Sequence, residues 1–246
     1  MQSSNPAIAV ATRQAGAINF GGADLAATLS GTTSKAILYV LITLVVGYLS
    51  LAYTIGYVYQ NGAVPSVLMY GSLILGVIVA FVTIFKPNLA PITGPIYAIL
   101  EGAALGSLSG MFEFKYPGIA ATAVLSTFVV VLTMLALWKF RIIVPTARFR
   151  SIMTGAISGI AVIYILDIVL RIFGIQFLPT SGPISIGISL IICTIAAFSL
   201  VLDFDNIEQS VNAGLPKYFE SFNAFSLLVT ICWLYVEILK LLSRRE

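Results

Sequence analysis

Three carboxylates follow directly on a long apolar stretch of the chain. The segment PISIGISLIICTIAAFSLVLDFDNIEQ carries no charge over residues 183–202 and then reaches Asp203, Asp205 and Glu208. About 20 residues of helix, at ~1.5 Å each, are enough to cross a ~30 Å hydrocarbon core. Carboxylates beside a bilayer are costly unless a proton, a cation or water stabilises them. The chemistry that this segment predicts is therefore the binding of protons or cations.

The two aspartates are expected to occupy different environments. Residues two apart on a helix point about 200° apart, so Asp203 and Asp205 cannot share one face. Asp203 is in register with the apolar residues Leu200 and Ile207, which predicts that it points inward. Asp205 and Glu208 are then expected on the wetter face. A helix end at which carboxylates simply return to water is the alternative interpretation.

The next apolar stretch supplies acidic partners for Asp203. Glu237 lies there in WLYVEILKLL, and two close carboxyls can share a proton and titrate as one unit. If the turn lies at 213–217, however, Asp203 is level with residues 228–230, and Glu237 is ~12 Å further along the axis. Glu220, near the turn, is a rival. We expect the neighbour of Asp203 to be an acid or an amide of this stretch, or Glu101.

Two further sites place charge inside apolar stretches. Glu101 lies in PIYAILEGAALGSLSGMF, where it is either a buried, hydrogen-bonded carboxyl or a member of an ion or proton pathway. Asp167 and Arg171 are four residues apart, so they face each other across one helical turn. We interpret this second site as a structural ion pair rather than as a gate.

The composition indicates an integral membrane protein. Of the 246 residues, 59% are hydrophobic and only 9% are charged, and the mean hydropathy is +1.02. A soluble domain carries roughly 25% charged residues. The chain has no His, which excludes His-based metal sites and triads, and the sequence leaves open whether any metal binds. Its 13 Lys and Arg residues are dispersed, so a nucleic-acid partner is not expected.

Seven apolar runs predict an all-α polytopic membrane protein, a bundle of seven transmembrane helices. They cover 36–59, 66–85, 95–112, 118–138, 153–173, 183–202 and 218–242. Pro95 and Pro183 are expected at helix starts, where a missing N–H costs nothing. Residues 1–35 are expected to form a mobile tail before a transmembrane domain over 36–243.

Lys and Arg residues predict the orientation of the chain in the membrane. With seven spans and a cytoplasmic N-terminus, eight basic residues lie on the cytoplasmic side and five on the other. Four of the eight, Lys139, Arg141, Arg148 and Arg150, lie in one connection. We therefore expect a cytoplasmic N-terminus and a multi-pass protein of the cell membrane, which is the inner membrane in a bacterium.

Glycines at four-residue spacing predict close helix packing. Gly102, Gly106 and Gly110 share one face of the third run, and Gly155 with Gly159 repeats the spacing on the fifth. In lipid, small residues at this spacing let two backbones approach each other. The third helix is therefore expected to lie near the centre of the bundle. No nucleophile elbow, phosphate loop, HExxH or EF-hand pattern is present, so neither an enzymatic activity nor a cofactor is expected.

These motifs together resemble the Bax inhibitor/YccA-like family, and more narrowly its bacterial branch. The resemblance rests on YAILEGAALGSLSGMFE, LVLDFDNIEQ and WLYVEILKLL, and covers residues 32–243. It implies a seven-helix membrane protein, in some members a pH-sensitive calcium leak channel, whose sensor is a pair of aspartates on the last two helices. Asp203 matches the first aspartate, and Glu237 matches the second through LYVE, with a longer interval than usual. The resemblance also implies a membrane quality-control protease as a partner.

Two classes of function remain at this point. The first is a leak pathway for calcium or another cation, gated by protonation, for which Asp203, Asp205, Glu208 and Glu101 supply oxygen ligands. The second is a membrane regulatory or interaction protein that modulates a protease and transports nothing. Both require a lipid bilayer.

Overall fold

The structure is a computed structural model that describes residues 26–179 and 182–244. Of the described residues, 85% are helical, and they contain no β-strand apart from one isolated bridge. Among the described residues, seven helices are long and apolar enough to cross a membrane. They are α1 (Leu29–Asn61), α2 (Ser66–Phe85), α3 (Ala90–Lys115), α4 (Ile119–Lys139), α5 (Ala147–Ile172), α6 (Pro183–Asn212) and α7 (Tyr218–Ser243), with one 3-10 turn at Pro87–Leu89. The predicted fold class is confirmed.

Helices α1 and α5 begin earlier than the apolar runs predicted, as does α3, which is described below. Helix α1 begins at Leu29 because Thr28 caps it, so the last part of the segment expected to be a tail is helical; residues 1–25 lie outside the described part. Helix α5 begins at Ala147, after the capping residue Thr146. Polar caps define a helix start but interrupt an apolar run, which explains both differences.

The expected helix start at Pro95 is wrong, whereas α6 does begin at Pro183. Helix α3 begins at Ala90, and Pro95 lies inside it. The turn before Pro95 is fixed by its packing: Thr83 Oγ1 donates to Thr93 Oγ1 at 2.7 Å, and Gly94 packs against the ring of Tyr39. These contacts hold the first turn of α3 in place, although Pro95 cannot donate a helical hydrogen bond.

The chain divides into two compact units, which are described separately. The first contains the described residues up to Lys115 together with Asp203–Cys232. Its centre is the contact of α3 with α1. A Cβ added to Gly102 would lie 2.8 Å from the Thr43 carbonyl oxygen, and one on Gly106 would overlap the carbonyl oxygen of Gly47. The glycine stripe of α3 thus lets two helix backbones meet.

Hydroxyl groups reinforce this contact between α1 and α3. Ser50 Oγ donates to the Ala103 carbonyl at 2.7 Å and lies 2.9 Å from Ser107 Oγ. Thr43 Oγ1 donates to the Ala98 carbonyl at 3.1 Å. Helix α3 also contacts α2, and Tyr97 packs edge-on against Phe225 of α7 with ring centroids 4.9 Å apart. Within the first unit, α3 therefore packs against three helices.

The turn between α6 and α7 contacts the residues that precede α1. Ala26 forms an isolated antiparallel bridge with Pro216, and Ala27 N donates to the Leu215 carbonyl at 2.7 Å. Ala27, Leu215 and three other residues form a buried apolar cluster: Ala90, Phe219 and Phe222. Residues 26 and 27 are thereby fixed to the turn.

The second unit contains Tyr116–Leu202 and the chain from Trp233 onward. In it, Phe149 of α5 packs edge-on against Phe198 of α6, with ring centroids 6.1 Å apart. The close-packing face predicted at Gly155 and Gly159 is wrong, because a Cβ on either residue would meet nothing within 4 Å. The spacing alone does not bring a neighbouring helix close; the α1–α3 stripe has the hydroxyl hydrogen bonds as well.

Candidate functional site

Asp203 is a buried carboxylate held by hydroxyl groups. Only 9% of the residue is exposed, and Oδ1 accepts a hydrogen bond from Ser226 Oγ of α7 at 3.2 Å. The hydroxyl of Thr230 lies one turn further along α7 and also interacts with Asp203. The level predicted from the turn is therefore correct, but the expected acid or amide neighbour is wrong. At this level α7 presents hydroxyls.

The second carboxylate oxygen of Asp203 has no hydrogen-bond partner. Among the described residues, Oδ2 is one of the few buried side-chain oxygens that lack one. Neither Lys nor Arg forms an ion pair with Asp203 in this part of the chain. Desolvating a carboxylate without a compensating partner costs several kcal/mol, about 1–3 for the unmade hydrogen bond alone. A proton or a cation bound at Oδ2 would offset this cost.

Asp205 does not face water, and the expectation that it does is wrong. Like Asp203 it is only 9% exposed, and its Oδ2 accepts from Gln209 Nε2 at 2.8 Å. This end of α6 is covered on both faces, since Phe204 and Ile207 are buried as well. Burial therefore does not separate the two aspartates, although they point about 200° apart on the helix. Glu208, by contrast, is half-buried.

Glu101 lies on α3 one turn after Tyr97, and it is half-buried. Its Oε2 approaches Gly76 of α2, where an added Cβ would be 3.7 Å away. Its polar neighbours in the first unit are the Tyr97 hydroxyl and, on α7, the thiol of Cys232. Glu101, like Asp203, has no ion pair with a described Lys or Arg.

Glu237 lies in a different environment, in the second unit. Its Oε1 accepts from Tyr164 Oη of α5 at 2.8 Å and from Lys240 Nζ at 3.1 Å. The Lys240 ammonium also lies over the Tyr164 ring, 4.9 Å from its centroid, within the range of a cation–π interaction. The charge of Glu237 is therefore compensated by its own helix.

A basic residue at the end of α7 extends this cluster. Arg244 Nη1 donates to the Ser185 carbonyl at 2.6 Å and to Ser189 Oγ. Ser185 and Ser189 are both buried on the first turns of α6. Arg244 therefore holds the start of α6 against the end of α7, a structural role.

Asp167 and Arg171 meet as the sequence predicted. Arg171 Nε donates to Asp167 Oδ2 at 2.7 Å, and Leu178 N donates to Asp167 Oδ1 at 3.0 Å. Asp167 thus uses both oxygens, one of them to hold the chain that leaves α5. Such a doubly bonded carboxylate is typical of a structural site.

Glu220 has a role that sequence reasoning missed. Its Oε1 accepts from Thr28 N and Oγ1 at 3.0 and 2.8 Å, and its Oε2 pairs with Lys35 Nζ at 2.9 Å. A Cβ on Gly31 would overlap this carboxylate. Glu220 therefore joins the start of α7 to the start of α1 and is not a partner of Asp203. The signal available in the sequence was a glutamate in the first turn of α7.

Comparison with known proteins identifies the family. The sequence model of the family described as Bax inhibitor 1 like matches residues 3–246. The chain belongs to the Bax inhibitor 1 like family. No curated protein and no solved structure matches the chain.

The family resemblance matched Asp203 and Glu237 to a pair of sensor residues. The surroundings of these two acids are therefore compared first. Asp203 takes its hydrogen bond from Ser226, whereas Glu237 takes its hydrogen bonds from Tyr164 and Lys240. Protonation of Asp203 would therefore first change its contacts with the hydroxyls of α7. Within the described residues no three His, Cys, Asp or Glu side chains are grouped as a metal site.

Proposed function

We propose that this Bax inhibitor 1 like protein is a pH-sensitive cation leak pathway, with calcium as the first candidate cation, and that it is not an enzyme. The observation that carries the proposal is the buried Oδ2 of Asp203, which has no hydrogen-bond partner. An intramembrane carboxylate that lacks a compensating base is a functional site by default. Hard cations such as Ca²⁺ prefer oxygen ligands, and a carboxylate with a vacant oxygen offers one.

The other intramembrane acids support this choice by contrast. Asp167, Glu220 and Glu237 are each paired with a Lys or Arg at 2.7–3.1 Å. A carboxylate that is already neutralised attracts a passing cation only weakly. Asp203 and Glu101 have hydroxyl partners and no such pair, so they are candidates for a pathway.

Glu101 is the second step of the proposed pathway. Asp203 bonds Ser226, and Glu101 interacts with Cys232, six residues further along α7. Six residues of helix span about 9 Å. Two carboxylates spaced along one helix, with the hydroxyls of Tyr97 and Thr230 near them, provide successive oxygen sites for a cation.

The sign of the pH response follows from the packing at Ser226. A protonated Asp203 is neutral and is compatible with the buried contact between α6 and α7. An ionised Asp203 leaves a buried charge uncompensated, so the helices separate there or a cation enters. We therefore expect flux to rise from acidic to alkaline pH.

The test is calcium efflux from liposomes that contain the purified protein, measured across a pH series. Asp203→Asn mimics the neutral form and should remove the pH response and most of the flux. The matched control Asp205→Asn, two residues away and equally buried, should keep most of the response. Flux that is unchanged in Asp203→Asn contradicts the proposal.

A wild-type protein that gives no flux at any pH supports the alternative function, a regulatory membrane protein. The partner in that case would be a membrane quality-control protease. Capture of such a protease by the wild-type protein and by Asp203→Asn alike, without flux from either, is the result that would establish it.

We also propose that the N-terminus and residues 139–150 are cytoplasmic, in the cell membrane. The basis is the eight-to-five distribution of basic residues. A cysteine introduced at Ala147 should resist a membrane-impermeant maleimide added to intact cells, whereas one at Gln176 should react. The reverse pattern would invert the orientation.

A further inference from the structure

The connection between α4 and α5 is basic and contains no acid. Lys139, Arg141 and Arg148 are exposed in it, and the chain has no Asp or Glu between Glu113 and Asp167. Lys139 and Arg148 form no ion pair within the described part of the chain. The positive charge of these two side chains is therefore available to a ligand.

The backbone of this connection is ordered by its own hydrogen bonds. Ile142 N donates to the Leu137 carbonyl at 2.9 Å and Arg141 N to the Trp138 carbonyl at 3.0 Å, which is the Schellman pattern at a helix end. Thr146 then caps α5 by accepting from Phe149 N at 3.2 Å. These hydrogen bonds at both ends fix the backbone that carries the basic side chains.

Arg141 occupies a backbone conformation that normally selects glycine. Its φ is +56°, and it is the one non-glycine residue with positive φ in the described chain. A left-handed conformation costs a non-glycine residue roughly 1–2 kcal/mol, and it is the conformation that the Schellman motif requires at this position. The conformation places the guanidinium over the Trp138 ring, 5.7 Å from its centroid. Arg and Trp are both residues that settle at the level of lipid headgroups.

Apolar side chains alternate with the charges. Phe140 is 73% exposed and Ile142 67%, and Val144 is exposed as well. Apolar residues beside Lys and Arg are the pattern of a segment that lies in the interface, with its apolar side chains at the boundary of headgroups and acyl chains.

The connection between α5 and α6 provides an internal control. Phe173, Ile175 and Phe177 are exposed there to a similar extent. Its cation, however, is Arg171, which is paired with Asp167 at 2.7 Å. Both connections present apolar side chains, but only the first has uncompensated positive charge.

We propose that residues 139–148 bind the headgroup of an anionic phospholipid in the surrounding leaflet, with Lys139 and Arg148 contacting the phosphate and Phe140 and Ile142 contacting the acyl chains. The charge of the site selects an anionic lipid over a zwitterionic one. Each basic residue near a charged membrane surface contributes about fivefold to binding, so the two together give a preference of at most about 25-fold. This inference does not depend on ion transport.

Trp138 makes the proposal measurable. The chain has two Trp residues, so Trp233→Phe leaves Trp138 as the only one. The protein is placed in phosphatidylcholine vesicles that contain a minor fraction of brominated phosphatidylglycerol or, in parallel, of brominated phosphatidylcholine. Bromine quenches a Trp that it contacts. We expect severalfold stronger quenching by the phosphatidylglycerol, and a weaker preference in high salt.

Two variants decide the outcome. Lys139→Gln with Arg148→Gln should bring the quenching ratio close to one; both side chains are exposed and Arg141 remains over Trp138, so the fold and the reporter should be unchanged. A reporter at Phe173, built as Phe173→Trp with Trp138→Phe and Trp233→Phe, should show no preference. Equal quenching by the two lipids at Trp138 overturns the proposal and leaves the charges for a soluble acidic partner. A preference that survives the double variant also overturns it.

Discussion

The two compact units contain the same sequence features and use them differently. Each has glycines at four-residue spacing and acids inside apolar helices. In the first unit the glycines of α3 meet the backbone of α1, whereas Gly155 and Gly159 of the second unit meet nothing. In the first unit Asp203 is held by a hydroxyl group, whereas in the second Glu237 and Asp167 each have a basic partner.

This difference separates acids that stabilise the fold through an ion pair from acids whose charge has no basic partner. Glu237 and Asp167 use their charge in ion pairs that fix helices and connections. Asp203 has only hydroxyl partners, and its Oδ2 has no hydrogen-bond partner, so its charge is uncompensated. A burial fraction alone would not show this, since Asp203 and the paired Glu237 are both buried. The partner, not the burial, distinguishes the two classes.

The largest effect is expected when a bulky side chain replaces a glycine of α3, with the same change on α5 as the control. Gly106→Leu places a side chain against the backbone of Gly47, which cannot move without shifting α1, so we expect a loss of more than about 3 kcal/mol or failure to fold. Gly159→Leu adds a side chain in open space and should change stability by about 0.5 kcal/mol or less, or raise it through helix propensity. Thermal unfolding in detergent measures both.

Gly106→Ala is the smaller test if the Leu variant does not express. Its Cβ alone overlaps the Gly47 carbonyl oxygen, so a clear loss of stability should remain. Equal melting temperatures for the Gly106 and Gly159 variants would show that the two stripes do not differ in packing.

The same two stripes show what the sequence can and cannot predict. Apolar run lengths predicted all seven helices, because crossing a bilayer requires a minimum length whatever the packing. Spacing of glycines predicted one close contact correctly and one wrongly, because a stripe does not specify its neighbour. The pairing of Glu220 with Lys35 joins residues 185 apart, and no local pattern encodes such a contact. The burial of Asp205 was missed for the same reason.

The next largest effect is expected when Glu237 loses its basic partner, Lys240. Lys240→Met leaves Glu237, which is almost fully buried, without its cation. Removing one partner of a buried pair costs about 3–5 kcal/mol, and we expect about 2 here because 35% of the Lys240 side chain is exposed. Asp203→Asn, in contrast, removes an uncompensated charge and should leave stability within about 0.5 kcal/mol or raise it.

The double variant Glu237→Gln with Lys240→Met tests the cause. If the loss comes from an uncompensated charge, neutralising Glu237 should recover most of it, since Tyr164 can still donate to the amide oxygen. A double variant as unstable as Lys240→Met would show that Lys240 acts through its contact with the Tyr164 ring. A large loss in Asp203→Asn would make Asp203 a structural acid like Glu237.

The smallest effect is expected at the two threonine caps. Thr28 caps α1 by accepting from Gly31 N at 3.0 Å, and its Oγ1 also donates to the Glu220 carboxylate at 2.8 Å. Thr146 caps α5 by accepting from Phe149 N at 3.2 Å. Losing a cap costs about 0.5–2 kcal/mol, and losing a hydrogen bond to a charged group adds to this.

Thr28→Ala should therefore lose about 2 kcal/mol and Thr146→Ala about 1. Thr28→Ser should retain most of the stability, because a serine hydroxyl makes the same two hydrogen bonds. The unfolding free energies of the three variants provide the comparison. If Thr28→Ala and Thr146→Ala lose the same amount, the hydrogen bond to Glu220 adds nothing. The attachment of α1 to the start of α7 would then depend on Lys35 and on the apolar contacts of Ala27.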